Sequence, residues 1–277
     1  MSFFARASFQ HPPSAELVLA QSAGDAAFAT TLAKGLVVLE AFDAGSALLG
    51  NAELAARTGI PRPTVARLTH TLAELGYLRH DPELGRYRLG ARALRMAHPL
   101  LAGMRFRQVA RPLMQDLAQS VRGTVSIGML DGTAAIYVET ARSGDLGAHV
   151  PDIGMPIPVV LTAMGRAAAA TLPAAEAVLL AQRLAADDAE LWAACGDNYR
   201  AGLRQCAQRG FCSCPGEFMA AIHAVAAPLF HARGQQQAFA INCGIPAYRL
   251  RSGQLESEIG PRLRALADTI RGLVDDV

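Results

Sequence analysis

Apolar residues return every three or four positions in three early stretches of the chain, then in alternate positions over two short runs. Leu32, Leu36, Val37, Leu39 and Ala41 predict an amphipathic helix over residues 30 to 43, with Gly45 just beyond its end. AELAART predicts a second, short helix: Gly50 or Asn51 stands at its cap, Glu53 suits the positive end of its dipole, and Gly59 suits its exit. After a tight turn at Ile60-Pro61, a third helix starts near Arg62-Pro63, where proline fits the first turn, and runs to Gly76. Val65, Leu68, Leu72 and Leu75 share one face of it. The opposite face carries Pro63, Ala66, Arg67, His70 and Glu74, with Arg62 at its leading edge. YLRH, DPELG and RYRLG then predict a β-hairpin, with Tyr87 and Leu89 on one face and Arg86 and Arg88 on the other.

Further along, Leu94, Ala97, Leu101 and Met104 fall on one helical face with a/d-like spacing, and Pro99 is expected to kink or break that helix. Such a face suits a dimer contact or packing on its own chain. TVSIGML, Asp131-Gly132 and AAIYVET form the strongest hairpin signal of the sequence. Residues 141 to 158 read as a Gly/Pro-rich loop. Thr162 stands at the cap of a helix from Ala163, Pro173 opens another, and DNYRAGLRQCAQR is a third that ends at Gly210. FCSC, AIHAVAAPLF and QQAFAINCG predict strands, and GPRLRALADTIRGLV a closing helix. Strands, then helices, then strands predict an α+β fold built on an antiparallel sheet.

Composition adds bounds. The 277 residues are 51% hydrophobic and 18% charged, which suits a globular chain of two unequal domains. No apolar run approaches the ~20 residues that span a bilayer, so no membrane partner is expected. The N-terminus lacks an apolar run after a basic start, which predicts a flexible tail over residues 1 to 28 and a cytoplasmic protein. The net charge of +2 hides a strong asymmetry: residues 57 to 111 hold eleven arginines against Glu74, Asp81 and Glu83, while both flanks are acidic. A basic block between acidic ones is the footprint of a polyanion-binding module.

Two helices joined by a glycine-containing turn and followed by a hairpin form a winged helix-turn-helix, whose second helix enters the major groove. Arg62 and Arg67 are then the natural base readers, since arginine can bond guanine O6 and N7 together. Arg86 and Arg88 are placed against phosphates. The candidate DNA-binding residues are Arg62, Pro63, Thr64, Arg67, His70, Arg86 and Arg88; the competing reading of the block is a three-helix protein-interaction module. Elsewhere, five cysteines (Cys195, Cys206, Cys212, Cys214 and Cys243) match neither a disulfide framework nor zinc spacing. No nucleophile, base and orienting group recur at meaningful spacing, and His149, His223 and His231 stand alone, so neither an enzyme nor a cofactor or metal is expected. The alternative of another class is a thiol-dependent oxidoreductase or redox sensor using Cys212 and Cys214.

LAKGLVVLEAF, AELAARTGIPRPTVARLTHTLAELGYLRHDPELGRYRLG, LTAMGRAAAA and AINCGIPAYRL resemble, in order and spacing, the patterns of the IclR family of bacterial transcriptional regulators. The resemblance covers residues 30 to 274. It departs at Pro63, where the family commonly has serine, at Arg166, where lysine is frequent, and at Ala221, where glycine is usual. The resemblance implies a winged helix-turn-helix over residues 29 to 90, a linker helix over 91 to 105 and a GAF-like α+β effector domain over 106 to 277. It further implies a homodimer or dimer of dimers on palindromic operator DNA, and a pocket for a small carboxylic or aromatic acid. The pocket residues so implied are Ile157, Ala163, Met164, Gly165, Cys214, Ala224, Asn242 and Gly244. Unpaired N–H groups at Ala163, Met164 and Gly165 would favour a carboxylate, and Cys214 and Gly244 tilt the choice towards an aromatic acid. The competing reading has Thr162 capping that helix and Asn242 tying a loop, with no ligand.

Overall fold

Gly59 ends one helix and begins the turn to the next with a left-handed backbone (φ 71°), which a side-chain-bearing residue rarely adopts. That turn organises the first of the two units into which the computed structural model divides, the boundary falling between Gly103 and Met104. The structure describes residues 25–144, 151–232 and 237–275. Most of the expected tail, together with Asp145 and His149, lies outside the described residues.

The first unit contains helices α1 (Thr30–Glu40), α2 (Asn51–Thr58) and α3 (Arg62–Glu74), strands β1 (Leu78–Asp81) and β2 (Arg86–Leu89), and helix α4 (Ala91–Gly103). Its core is Val37, Val38, Leu49, Leu54, Ile60 and Val65. Each such side chain contributes about 1.5–3 kcal/mol when fully buried. The stripe expected of α1 is rotated: Leu32 and Leu36 face solvent and Val38 takes the core position. Likewise Leu75 is exposed rather than inward. The helix α4 is not broken at Pro99 but runs through it, since one missing i→i−4 donor leaves the flanking turns intact. It stops at Gly103, short of the expected residue 105, and Met104 is buried in the second unit instead.

The second unit opens with a helix that the hydrophobic reading passed over, α5 (Phe106–Val121), which buries Ala110, Met114, Leu117 and Ala118 at helical spacing. It then forms β3 (Thr124–Asp131), β4 (Ala134–Arg142), β5 (Pro156–Pro158), α6 (Ala163–Ala169), α7 (Ala174–Asp187), α8 (Ala189–Arg209), β6 (Cys212–Met219), β7 (Ile222–Ala232) and β8 (Gln237–Pro246). A π-helical turn over Leu255–Ile259 leads into α9 (Gly260–Asp275). Within the stretch read as a loop, β5 is a short added strand; α8 and β6 are longer than expected. The six strands lie in the order β5-β4-β3-β8-β7-β6, every described pair antiparallel.

Helices α5 and α9 pack on one face of this sheet and α6 on the other. All seven residues of α6 are buried, and five of them are alanine or glycine, so the helix lies close on the strands. Gly128 in β3 makes room for the Met164 side chain, which occupies the space a Cβ there would need. Beside it, β4 carries an extra residue. Ile127 pairs with Glu139 and Gly128 with Tyr137, leaving Val138 unpaired as a β-bulge.

Candidate functional site

On the first unit, Arg62, Pro63, Arg67 and His70 are all exposed on α3, while Thr64 is half-buried beside buried Val65. Thr69 donates to Asn51 Oδ1 at 3.0 Å, which ties α3 to the start of α2. Arg57 is spent internally, on Asp43 Oδ2 at 2.8 Å, Ala41 O at 2.9 Å and Ser46 Oγ at 2.6 Å. Burial alone would raise the Asp43 carboxyl, but the Arg57 hydrogen bond and charge outweigh it and hold it below its ordinary value.

The hairpin pairs Arg79 with Arg88 and Asp81 with Arg86. Arg86, expected at a phosphate, instead bonds Glu53 Oε1 and Leu48 O, each at 3.2 Å, while the other Glu53 oxygen accepts from Gly50 N–H at 2.8 Å. The reason is local: β2 is tethered beside the start of α2, where Glu53 lies, by two hydrogen bonds between Leu49 and Tyr87. Arg79, not singled out from the sequence, takes the outward place beside Arg88. The hairpin register was the signal that would have found it. The basic block also divides, since Arg107 and Arg111 belong to α5 and pair with buried Glu139 at 3.2 and 3.8 Å.

On the second unit, a cavity of about 90 Å³ lies between α6 and the sheet. That is several times the ~10–15 Å³ needed for one water. Six of the implied pocket residues line it: Ile157, Ala163, Cys214, Ala224, Asn242 and Gly244. Two do not. Met164 fills the space over Gly128, and Gly165 is pressed on the Val159 backbone. Of the N–H groups expected to be free at this helix start, that of Gly165 is taken: Thr162 Oγ1 accepts from it at 3.1 Å and donates to Pro158 O at 2.7 Å. The residues not foreseen include Thr124, Ser126 and Tyr137 on the floor and Met155, Phe218 and Ile222 around it.

The polar end of the cavity is built by two strands that flank β3. Tyr137 of β4 and Asn242 of β8 both line this end, and burial pushes the Tyr137 phenol up to about 12, so it stays protonated. Asn242 Oδ1 is buried without a hydrogen-bond partner. Ser126 Oγ accepts from the Thr140 hydroxyl at 3.1 Å. No cation lines the cavity among the described residues.

Arg166 lies behind the wall and is 1% exposed. Its guanidinium donates twice to Val160 O, at 3.1 and 2.9 Å, and twice to Glu217, at 2.9 and 2.6 Å. Burial would raise the Glu217 carboxyl, but the Arg166 hydrogen bonds and charge, with Asn198, hold it below its ordinary value. The pair fixes the strand end from which Phe218 reaches the cavity.

Cys212 and Cys214 share the inner face of β6 and donate to Ala163 O at 3.4 Å and Leu161 O at 3.2 Å. Burial pushes Cys214 up to about 12; a hydrogen bond with Cys206 and burial raise Cys212 well above its ordinary value. The reactive form of cysteine is the thiolate, so these are packing groups and the oxidoreductase reading has no support here. Among the described residues no His, Cys, Asp or Glu cluster is placed to hold a metal. No described helix is long and apolar enough to cross a membrane.

Comparison with known proteins agrees with both halves of this architecture. The chain is 28% identical to the HTH-type transcriptional regulator TsaQ1/TsaQ2 of Comamonas testosteroni over 243 residues, 87% of each chain. Its structure matches that of an IclR family transcriptional regulator from Brucella abortus with a TM-score of 0.80 and 34% identity, over 91% of this chain and 95% of that one. An IclR homolog from Microbacterium hydrocarbonoxydans, complexed with 4-hydroxybenzoate, shares the fold at 20% identity with a TM-score of 0.68, over 89% of this chain and 100% of that one. The model of the bacterial transcriptional regulator IclR C-terminal domain matches residues 98–271, and that of the IclR helix-turn-helix domain matches residues 31–82. With a helix-turn-helix and wing in one unit and a pocketed antiparallel sheet in the other, the chain belongs to the IclR family of bacterial transcriptional regulators.

Proposed function

We propose that this regulator binds operator DNA through α3 and answers to a small aromatic acid held in the sheet cavity. The observation that carries the DNA half is the outward placement of Arg62 and Arg67 at the N-terminal half of α3, with no partner among the described residues. There they meet base edges, with Thr64 and His70 nearby, while Arg79 and Arg88 of the wing lie on phosphates. Supporting the effector half is the mostly apolar cavity with a few convergent polar groups, the usual form of a small-molecule site.

The active species is a homodimer, or a pair of dimers, working in the cytoplasm. In support, α4 buries no residue of its own, and Leu94 is 76% and Met96 59% exposed. Two-fold symmetry then sets two recognition helices on half-sites one turn or more apart. The test is fluorescence anisotropy on DNA from the flanking region of its own gene, with a thermal-shift screen of aromatic and aliphatic acids. Salt-independent or sequence-blind binding overturns the DNA half, and no thermal shift by any acid overturns the effector half.

A further inference from the structure

Between its arginines, the outward face of α3 carries an apolar step. Pro63 and Ala66 are exposed, as are Arg62, Arg67 and His70, whereas Val65 and Thr69 of the same helix are buried. Residues three and four apart are neighbours on a helix, so Pro63 and Ala66 form one small apolar surface, with Arg62 and Arg67 beside it and His70 one turn beyond. At 1.5 Å per residue the two stand about 4.5 Å apart along the axis, a little more than the ~3.4 Å step between base pairs. Nor does the helix start serve as an anion clamp instead. Pro61 O accepts from the N–H of Thr64 at 2.8 Å and of Val65 at 3.0 Å, and Pro63 has no N–H, so at most one of the four leading donors, that of Arg62, is available. What this end presents to a duplex is a rigid ring and a methyl group, neither able to give or accept a hydrogen bond.

We infer that Pro63 and Ala66 are specificity-determining residues that read the C5 methyl groups of thymine in the major groove, so that each half-site holds one or two thymines next to the bases met by Arg67. The edges of guanine, cytosine and adenine show only donors and acceptors in that groove, and thymine alone adds a methyl group. Set against Pro63 and Ala66, the polar edges would lose water and gain no partner, whereas the methyl group buries apolar surface on both sides. The inference rests on the DNA reading above and deepens it. Proline also suits the first turn of a helix for structural reasons alone. The decisive measurement therefore alters the DNA and leaves the protein intact.

Full-length protein is used to select duplexes from a random-sequence pool, and its affinity for the selected duplex is measured by fluorescence anisotropy with each thymine replaced in turn by deoxyuridine, which lacks only the methyl group. The expected result is one or two sensitive thymines in each half-site, each replacement weakening binding about fourfold, as the loss of one buried methyl group predicts. In Pro63→Ser and Ala66→Ser proteins, matched to wild type in circular dichroism and melting, the thymine and deoxyuridine duplexes should bind alike at one of those positions each. Arg67→Ala should keep the difference between thymine and deoxyuridine while relaxing the choice of the neighbouring base. Uniform tolerance of deoxyuridine in a duplex that the wild type selects overturns the methyl assignment and leaves the DNA reading standing. So does a difference that survives in both serine variants, since other side chains then meet the methyl groups. A pool that yields no preferred sequence overturns the DNA reading itself, and the inference with it.

Discussion

Tyr137 and Glu139 stand two residues apart on β4, yet they serve opposite faces of the sheet. Tyr137 lines the cavity beneath α6, whereas Glu139 is buried against α5, paired with Arg107 and Arg111. In an unbroken strand, residues i and i+2 share a face. The bulge at Val138 reverses that parity, so a group in the cavity and a group bound to α5 are joined by one extra residue.

This adjacency makes Glu139 a positioning residue between the cavity and α5, whose first turn follows Gly103 by a few residues and is packed by Phe106 against Phe230 and Phe239 at 5.1 and 5.2 Å. Glu139→Gln keeps the size and removes the charge that holds Arg107. The expected outcome is effector affinity within about twofold of wild type, with most of the effector's influence on DNA affinity lost; a typical coupling is about 1–3 kcal/mol. DNA titrations with and without effector measure it, and unchanged coupling would show that the bulge transmits nothing.

The arginines of the first unit divide by partner. Arg67→Ala or Arg62→Ala is expected to lose ~1–3 kcal/mol on a specific site and relax base preference. Arg79→Ala or Arg88→Ala should weaken binding to all sequences alike and lower the salt slope by about one. Arg86→Ala is a different case. Its partly exposed pair with Glu53 contributes at most about 1 kcal/mol, so the variant should melt slightly earlier and bind DNA nearly as well. An Arg86→Ala protein that loses salt-dependent affinity as Arg88→Ala does would place Arg86 on the DNA after all.

Local signals carried the helix-turn-helix, the hairpins and most strands of the second half, because caps, turn glycines and periodicity act within a few residues. The cavity was legible only through the family resemblance at Ile157, Ala163, Cys214, Ala224, Asn242 and Gly244. Tyr137 escaped because nothing in AAIYVET marks a bulge, and simple alternation sets it beside Glu139. Met164 and Gly165 were misplaced for a related reason. Which side of a short helix meets the sheet depends on Gly128 and Val159, far away in sequence, and whether its N–H groups are free depends on the Thr162 rotamer. Helix α5 was missed because arginines and Pro112 dilute its stripe. Charge counting could not distinguish Arg57, Arg86 and Arg107, which are held by Asp43, Glu53 and Glu139, from arginines that face outward.

The Arg166–Glu217 pair sets the acid limit of the second unit. Glu217 titrates below its ordinary value in the folded state, so its contribution is present above the unfolded value of about 4.3 and is lost as pH falls through the lower folded one. Removing one partner of a buried pair typically costs about 3–5 kcal/mol. With Glu217 partly exposed, Glu217→Ala is expected near or below the low end of that range, and its stability should vary less with pH below 4.3. Urea melts at pH 7 and pH 3.5 compare the two. If wild type and variant lose stability equally between those pH values, the pair is not what limits acid tolerance.

The alkaline limit is set by thiols. Burial holds Cys214 and Cys243 up to about 12, and Cys212 also lies well above its ordinary value. An unfolded cysteine loses its proton near pH 8.5. Between these values the unfolded chain binds fewer protons than the folded one, so stability is complete below about pH 8.5 and falls as pH rises. Each such thiol contributes a slope of about 1.4 kcal/mol per pH unit in that window. Urea melts of the wild type at pH 8 and pH 10 should therefore differ by several kcal/mol. The Cys214→Ala variant, which loses the bond to Leu161 O and leaves a small cavity, should be less stable at pH 8 but show a shallower decline towards pH 10. The same burial predicts that iodoacetamide labels Cys212, Cys214 and Cys243 slowly in the folded protein and promptly in urea, measured by intact mass. Rapid labelling of Cys212 or Cys214 without denaturant would mean that β6 opens to expose a reactive thiol, and would restore the redox reading.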